Sequence, residues 1–229
     1  MKTQFLVCAL FAAIVTGCAT AEPTLDTSPD AEVTFDGLVP VKNSAFKRAW
    51  ADPDADLSPY TKIMPGPAEF EFRAVRKTGT TSRSSNQREF WISDKDKEKL
   101  QQVVSDVFNE ELAKSTRFAM TDAPGPDVLI ISGALLDIVS LVPPERAGRS
   151  EVYLSRVGEA TLVLELKDSQ SGETLVRAAE RRAAERPGQA SVYSSAVTTW
   201  AEVKRLARRW AVKLREGLDG VDTTPVGGG

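Results

Sequence analysis

VGEATLVLELKDSQSGETLVRAAERRAAER, residues 157–186, is the stretch that decides the fold. Its first arm, 157–167, alternates apolar and polar positions, which is the period of a strand with one buried face. The loop 168–172 ends in a glycine, which tolerates the positive φ of a hairpin turn. The second arm, 173–186, contains AAERRAAER, which favours a helix, but the short loop favours a strand paired with the first arm. We therefore predict an antiparallel hairpin, with a helix in the second arm as the alternative.

Two segments upstream of this hairpin have the patterns of strands. Residues 69–77 alternate, with Phe70, Phe72 and Ala74 on one side, as in a half-buried strand. Residues 128–139 are nearly all aliphatic, which is typical of a central strand covered on both faces. The hairpin is therefore expected to belong to a larger sheet.

Two segments have the period of amphipathic helices. The first begins at Ser93, with Asp96 three residues later as in a capping box. The second begins at Ser194 or Ser195 and ends near Gly217. The resulting order, β-α-β-β-β-α, predicts a single α+β domain in which the two helices pack on one face of a small, mostly antiparallel sheet.

The segments on either side of these elements lack a period. Residues 33–67 contain scattered apolar side chains and five prolines, so we expect an irregular segment that wraps the domain, in which 44–50 could form a short helix. Residues 18–32 are acidic and Pro-rich, which predicts a disordered tether, and 220–229 predict a disordered tail. The domain is thus expected to span 33–219.

The amino terminus carries the tetrapeptide Val15-Thr16-Gly17-Cys18, which resembles the lipobox of bacterial lipoproteins. The apolar run before it, 5–15, has the length of a signal-peptide core, whereas a membrane-spanning helix needs about 20 apolar residues. We predict a signal peptide at 1–17, cleavage between Gly17 and Cys18, and acylation of Cys18. A plain secretory signal cut near 19–21 is the alternative.

The residue after the cysteine, Ala19, bears on the destination of such a lipoprotein. The sorting rule that the lipobox resemblance brings in implies release to the outer membrane when this residue is not aspartate. We therefore expect a lipid anchor in the outer membrane with the domain on the periplasmic side, and retention in the inner membrane as the alternative.

Composition excludes several function classes. The net charge of −3 gives no basic field for nucleic acid. The chain has no histidine, which removes Ser-His-Asp and Cys-His catalysis and histidine-containing zinc sites. After signal cleavage Cys18 would be the only cysteine. We predict no catalytic, cofactor-binding or metal-binding residues, and hence a protein that is not an enzyme.

Two short motifs are better explained as coincidence or turns. Ser44 with Lys47, and the triplet 77–79 (KTG), match motifs of serine β-lactamases. The third motif of that family, S-D-N, does not occur between these two, as the order of motifs in the family requires. Asp52, Asp54 and Asp56 alternate as in a cation loop but lack the glycine and glutamate of a calcium loop. An acidic surface turn is the favoured interpretation.

The last predicted helix also carries a basic face. Lys204, Arg205, Arg208 and Arg209 could contact an anionic lipid or glycan surface. A solvated helix face explains the same pattern and is favoured, since the tryptophans fall on the apolar stripe.

Three short pieces of the mature chain are similar to a known family. The stretches DGL at 36–38, DLSPY at 56–60 and DSQSG at 168–172, together with the lipobox, resemble the bacterial lipoprotein family known as domain of unknown function 3313. The resemblance implies an envelope location and no assigned activity. We expect a non-enzymatic envelope protein that contacts the bilayer through Cys18 and binds another envelope protein or peptidoglycan; a carboxylate-dependent protein that binds or cleaves cell-wall glycan is the alternative.

Overall fold

The computed structural model describes residues 22–75, 89–143, 153–185, 192–193 and 195–221. Within these residues the chain forms an open eight-stranded sheet, a separate two-stranded ribbon and two helices. The strands are β1 (Thr24–Leu25), β2 (Val39–Lys42), β3 (Arg48–Ala51), β4 (Lys62–Phe72), β5 (Ala119–Met120), β6 (Val128–Ser140), β7 (Tyr153–Leu154), β8 (Arg156–Asp168), β9 (Thr174–Glu185) and β10 (Val192–Tyr193). The helices are α1 (Asp94–Leu112) and α2 (Ala196–Asp219).

The strand order in the large sheet is β1-β2-β3-β9-β8-β6-β4-β5, and β10 pairs with β7 in the ribbon. The pairs β4–β6 and β4–β5 are parallel, and the others are antiparallel. The predicted hairpin is confirmed as β8 and β9, with Gly172 at φ 76° in its turn. Because β4 and β6 run parallel, the chain must cross over between them, and α1 lies in that crossover.

Both helices begin at the serines that the sequence indicates. The Ser93 side chain accepts the N–H of Asp96, and the Ser195 side chain accepts the N–H of Thr198 in a capping box. α2 continues past Gly217 to Asp219, beyond the predicted end, because Gly217 lies in helical backbone with no special φ and Gly220 is the C-cap.

The core lies between the helices and one face of the sheet. Trp210, Ala211 and Leu218 of α2 are almost fully buried, as is Val107 of α1. They pack into the same cluster as side chains from the central strands, Ile63, Leu129, Ile131, Leu135, Leu162, Leu164, Leu166 and Ala178. The predicted packing of two amphipathic helices on one face of the sheet is confirmed.

The long elements β4, α1, β6, β8, β9 and α2 follow the predicted order, but the short strands were not foreseen. The proposed short helix at 44–50 is wrong, because 48–51 instead pairs with β9. The predicted tether is also wrong in part, since Thr24 and Leu25 pair with β2. In both cases backbone groups distant in sequence supply the hydrogen bonds, and local periodicity carries no trace of such pairing.

The predicted coverage of β6 on both faces is also wrong. Leu129, Ile131 and Leu135 face the helices and are buried, whereas Ile130 and Leu136 on the other face are only half-buried. Among the described residues both helices lie on the same face, so long aliphatic side chains on the second face are shielded mainly by their neighbours. The signal peptide, Gly17, Cys18, the triplet 77–79, Ser194 and the tail from 222 onward lie outside the described residues.

Candidate functional site

One end of the domain gathers the ends of two strands and the starts of both helices. The helices run in parallel, because Lys99 of α1 lies 4.5 Å from the Trp200 ring of α2, while Ser115, just past α1, hydrogen-bonds Asp219 at the end of α2. β4 and β6 also run parallel and finish at the same end. We call this region, where β4 and β6 finish and both helices begin, the helix-start end.

A groove of about 240 Å³ lies at the helix-start end, between the end of β4 and the start of α1. Its walls combine aromatic and charged side chains, and it is smaller than the roughly 300–1,000 Å³ of typical small-molecule sites. The residues that matter most for its chemistry are Phe72, Arg73, Phe90, Trp91, Asp94 and Lys97.

Backbone hydrogen bonds hold the two walls of the groove. The N–H of Arg73 donates to the carbonyl of Ile138 at 3.0 Å, and the N–H of Phe90 donates to the carbonyl of Ser140 at 2.8 Å. Both acceptors belong to β6, so this strand fixes the segments on either side of residues 76–88. The groove is therefore part of the sheet framework.

Lys97 connects the polar and aromatic walls. Its Nζ lies 2.9 Å from Oδ1 of Asp94 and 5.6 Å from the centre of the Phe72 ring. An ammonium group over an aromatic face is an attractive arrangement. The groove can therefore offer a cation, a carboxylate and aromatic surface to one ligand.

Next to the groove, Asp137 of β6 accepts hydrogen bonds from two arginines, Arg73 just past the end of β4 and Arg181 of β9. Arg73 Nε donates to Oδ1 at 2.6 Å, and Arg181 Nη1 donates to Oδ2 at 2.8 Å. The bonds from Arg73, and then those from Arg181, hold the pKa of Asp137 below its usual range. Asp137 has φ 53° at the β6 bulge, a left-handed conformation that aspartate tolerates better than most residues.

Exposed apolar side chains also concentrate at the helix-start end. Trp91 is 39% exposed, Tyr153 of β7 is 57% exposed and Val197 in the first turn of α2 is 80% exposed. Single exposed apolar residues are common, but several at one end of a small domain indicate a contact surface.

The opposite end of the domain is closed by hydrogen bonds. The Tyr60 hydroxyl donates to Asp168 at 2.9 Å, and burial with this contact raises the pKa of Tyr60 to about 12. Asp168 also accepts the N–H groups of Gln170 and Ser171 in the hairpin turn. The interpretation of Asp168 and Gly172 as turn formers is confirmed.

The basic residues of the last helix are placed on the outer face of α2. Arg205 pairs with Glu202, and Arg208 lies 3.0 Å from Glu110 of α1. Lys204 is exposed and Arg209 is half-buried, and neither forms an ion pair within the described part of the chain. Two of the four predicted cations are therefore already matched by carboxylates.

The other motifs take simple structural roles. Ser44 accepts the N–H of Phe46, and Asp52 and Asp56 accept the N–H groups of Asp54 and Ser58, so the acidic stretch forms surface turns. In the described ranges no three carboxylates or cysteines converge as a metal site would require. Of the helices described, none is long and apolar enough to cross a membrane.

A second exposed surface lies in the N-terminal segment, at residues 33–38. Phe35 is 96% exposed and Val33 is 53% exposed, whereas Leu38 is only 2% exposed. The turn is held by the N–H of Gly37, which donates to the carbonyl of Thr34 at 3.0 Å, and Gly37 has φ 85°. A substituted residue would be strained at that φ, which explains the glycine.

Only a weak signal for the groove is present in the sequence. Phe90 and Trp91 stand directly between a polar loop and the Ser93 helix cap, where an apolar pair often packs against the helix start. Nothing in the local pattern places them beside Phe72 or Arg73, because the parallel pairing of β4 and β6 is required to bring the two segments together.

A family model described as a protein of unknown function, DUF3313, matches residues 29–214. The chain belongs to this family. The match covers both helices almost completely and the sheet from β2 to β9. The resemblance to DUF3313, which was based on short stretches of this sequence, is therefore confirmed. The family description assigns no activity, and a search among curated proteins finds no match.

Solved structures with similar chain traces are distant. The PelC dodecamer from Paraburkholderia phytofirmans is 11% identical with a TM-score of 0.34, over 76% of this chain and 97% of that chain. Protein XCC0632 from Xanthomonas campestris is 11% identical with a TM-score of 0.37, over 68% of this chain and 82% of that one. Protein CT253 from Chlamydia trachomatis is 9% identical with a TM-score of 0.36, over 69% and 98%. Similarity at this level carries no functional argument.

Proposed function

We propose that this DUF3313 protein is a lipid-anchored envelope protein that binds another envelope component through the groove at the helix-start end and performs no catalysis. The observation that carries the proposal is the groove itself, which is lined by aromatic, cationic and anionic side chains, including the partly exposed Trp91, and lies at the same end of the domain as exposed Tyr153 and Val197. Such a combination suits recognition of a partner surface that is partly apolar and partly charged.

The carboxylates support binding rather than acid catalysis. A glycosidase needs one carboxyl group with a raised pKa as its general acid. Every described carboxylate with a shifted pKa has it lowered, through hydrogen bonds and ion pairs. These groups are suited to holding the structure together in their ionised form.

Anchoring is proposed at Cys18, with the domain facing the periplasm from the outer membrane. The lipobox and the family membership support this location. Several acyl chains on one residue give attachment far stronger than a single reversible chain, because each buried methylene contributes about 0.8 kcal/mol.

Cys18→Ser is expected to abolish acylation and to release the protein into the soluble fraction. Fractionation of cells that express the full chain, with metabolic labelling by an alkyne fatty acid, measures both effects. Ser28→Ala, an exposed serine-to-alanine change in the same segment, serves as the control and should leave labelling and membrane attachment as in the wild type. Acylation and membrane attachment that survive Cys18→Ser would contradict the anchor.

The groove is tested by replacing Trp91 with the photo-crosslinker p-benzoylphenylalanine in living cells. We expect one envelope protein to be captured at least tenfold more than from Gln102, an exposed position on the outer face of α1. Lys97→Glu should reduce that capture, because reversing the charge weakens a complementary contact.

The identity of the captured molecule separates the two envelope hypotheses. Recovery of peptidoglycan fragments would favour the glycan-binding alternative, for which stacking on Trp91, hydrogen bonds donated by Arg73 and hydrogen bonds accepted by Asp94 supply a binding mode. Equal capture from Trp91 and Gln102 would contradict a role for the groove.

A further inference from the structure

The turn at residues 33–38 presents two apolar side chains on a well-defined scaffold. Thr34 Oγ1 accepts the N–H of Leu38 at 2.9 Å and donates to Asp36 at 2.6 Å. Arg177 of β9 donates to both carboxylate oxygens of Asp36, at 3.1 and 2.7 Å. These bonds fix the turn on the sheet, so the exposure of Val33 and Phe35 is a property of an ordered segment.

The turn lies on the face of the sheet opposite the helices. Glu180 of β9 hydrogen-bonds Trp210 of α2, so it faces the helices. Side chains alternate along a strand, and Arg177, three residues earlier, therefore points to the other face. Since Arg177 holds Asp36 and lies 5.8 Å from the centre of the Phe35 ring, the turn lies on that face, away from the basic surface of α2.

The segment that leads from the expected lipid anchor is held to β2, the strand that directly follows the turn. Asn43 Nδ2 donates to the carbonyl of Glu22 at 3.1 Å, and Thr24 pairs with Lys42, so the chain is held to the domain from Glu22 onward. Four residue steps separate Glu22 from Cys18, which span at most about 14 Å. The tether is therefore much shorter than the fourteen or so residues expected from composition, and an acylated Cys18 would hold this edge of the sheet against the lipid headgroups.

Ion pairs neutralise three acidic side chains in and before the turn, whereas Glu22 and Asp30 form none within the described part of the chain. Asp36 pairs with Arg177 at 2.7 Å, Glu32 with Arg48 at 3.0 Å and Asp26 with Lys42 at 2.9 Å. Unpaired carboxylates would be repelled by anionic headgroups, whereas matched pairs present little net charge. Within the turn itself, the pairing of Asp36 with Arg177 therefore lowers the repulsion between the surroundings of Phe35 and a phospholipid surface.

We propose that residues 33–38 form a second, non-covalent membrane contact, in which Phe35 and Val33 enter the lipid headgroup region of the membrane that holds the acylated cysteine. This inference rests on the proposed anchoring at Cys18. One phenylalanine binds a bilayer weakly, but the anchor keeps the turn at a high effective concentration near the membrane. The contact orients the domain so that its helices face the periplasm.

The test uses a single new cysteine, since Cys18 is acylated and Cys8 leaves with the signal peptide. The full-length acylated protein is placed in phosphatidylethanolamine–phosphatidylglycerol nanodiscs, with either Phe35→Cys or Lys204→Cys. The rate of reaction with a membrane-impermeant maleimide is compared with the rate for the same cysteine in a protein produced without residues 1–18, which has neither the anchor nor another cysteine. We expect at least tenfold slowing at position 35 and no slowing at position 204.

A further pair of variants tests the role of the aromatic side chain. Val33→Cys should be slowed in the acylated protein, and the additional change Phe35→Asp should restore its rate by on the order of tenfold, the ratio that corresponds to withdrawing one large apolar side chain from an apolar environment. Equal rates in nanodiscs and in solution at position 35, or equal slowing at 35 and 204, would overturn the proposed contact. Failure of the wild-type protein to associate with nanodiscs would instead contradict the anchor.

Discussion

Gly158→Ala should lower the free energy of unfolding by about 3 kcal/mol. For a domain of this size such a loss lowers Tm by roughly 6–12 °C. A Cβ at Gly158 would lie 2.5 Å from the carbonyl oxygen of Val139 on β6. That oxygen is a backbone atom, so the clash can be relieved only by moving β6 or β8 where their register already shifts, between Leu136 and Val139.

Thermal and denaturant unfolding of the domain measure this effect, and Gly217→Ala provides the matched control. A Cβ at Gly217 meets no atom within 4 Å, and the residue lies inside α2. Alanine there should raise the free energy of unfolding by about 0.5–1 kcal/mol, because glycine has more conformational freedom to lose in a helix. Equal stability of the two variants would contradict the close approach of β6 and β8.

Glu180→Ala should lower the free energy of unfolding by about 3 kcal/mol, because it removes the shared acceptor of a largely buried network. Glu180 is 5% exposed. It accepts hydrogen bonds from Trp210 Nε1 at 3.1 Å and from Lys213 Nζ at 3.1 Å, and pairs with Arg182 at 2.9 Å. Without the carboxylate, the indole N–H of Trp210 loses its partner and two cations lose their counter-charge.

The same variant has a predicted pH dependence. Burial alone would raise the pKa of Glu180, but the contacts with Arg182 and Lys213 outweigh it, and the pKa is lowered. A lowered pKa means that the contribution of Glu180 is present at neutral pH and is lost as the pH falls below the ordinary glutamate range, about 4.3. The stability difference between the wild type and Glu180→Ala should therefore shrink on acidification.

Glu216→Ala is the control for this prediction. Glu216 lies on the exposed side of α2 and, among the residues that the structure describes, pairs only with Arg215 at the surface. Its removal should change the free energy of unfolding by no more than about 0.5 kcal/mol. A Glu180→Ala protein that matched both the wild-type stability and its pH dependence would show that the carboxylate does not hold the network.

The main elements could be predicted because their signals are local. Each signal lies within a few consecutive residues: the alternation in β8, the glycine in the hairpin turn, and the helix caps at Ser93 and Ser195. In β9 the composition of AAERRAAER favoured a helix. The short hairpin loop favoured a strand paired with β8, and the strand is what forms. Tertiary pairing overrides helix propensity when a neighbouring strand can satisfy every backbone group.

The short strands and the groove could not be predicted for the opposite reason. β3 exists because β9 offers it a partner, and β1 exists because β2 does. Neither has more than four residues, which is too few for a period to be seen. Phe72 and Trp91 likewise meet only because β4 and β6 run parallel and return the chain to the same end of the sheet.

The sequence by itself determined the order of the long elements, the absence of histidine chemistry and the family. It also predicted a location in the cell envelope that depends on Cys18. The tertiary structure decided which faces are left open: the groove beside Trp91, the exposed Phe35 on the face opposite the helices, and the pairing of Arg205 and Arg208 with carboxylates. The physical reason is that periodicity and caps act between neighbours along the chain. Exposure and charge pairing depend on which distant segments the sheet brings together.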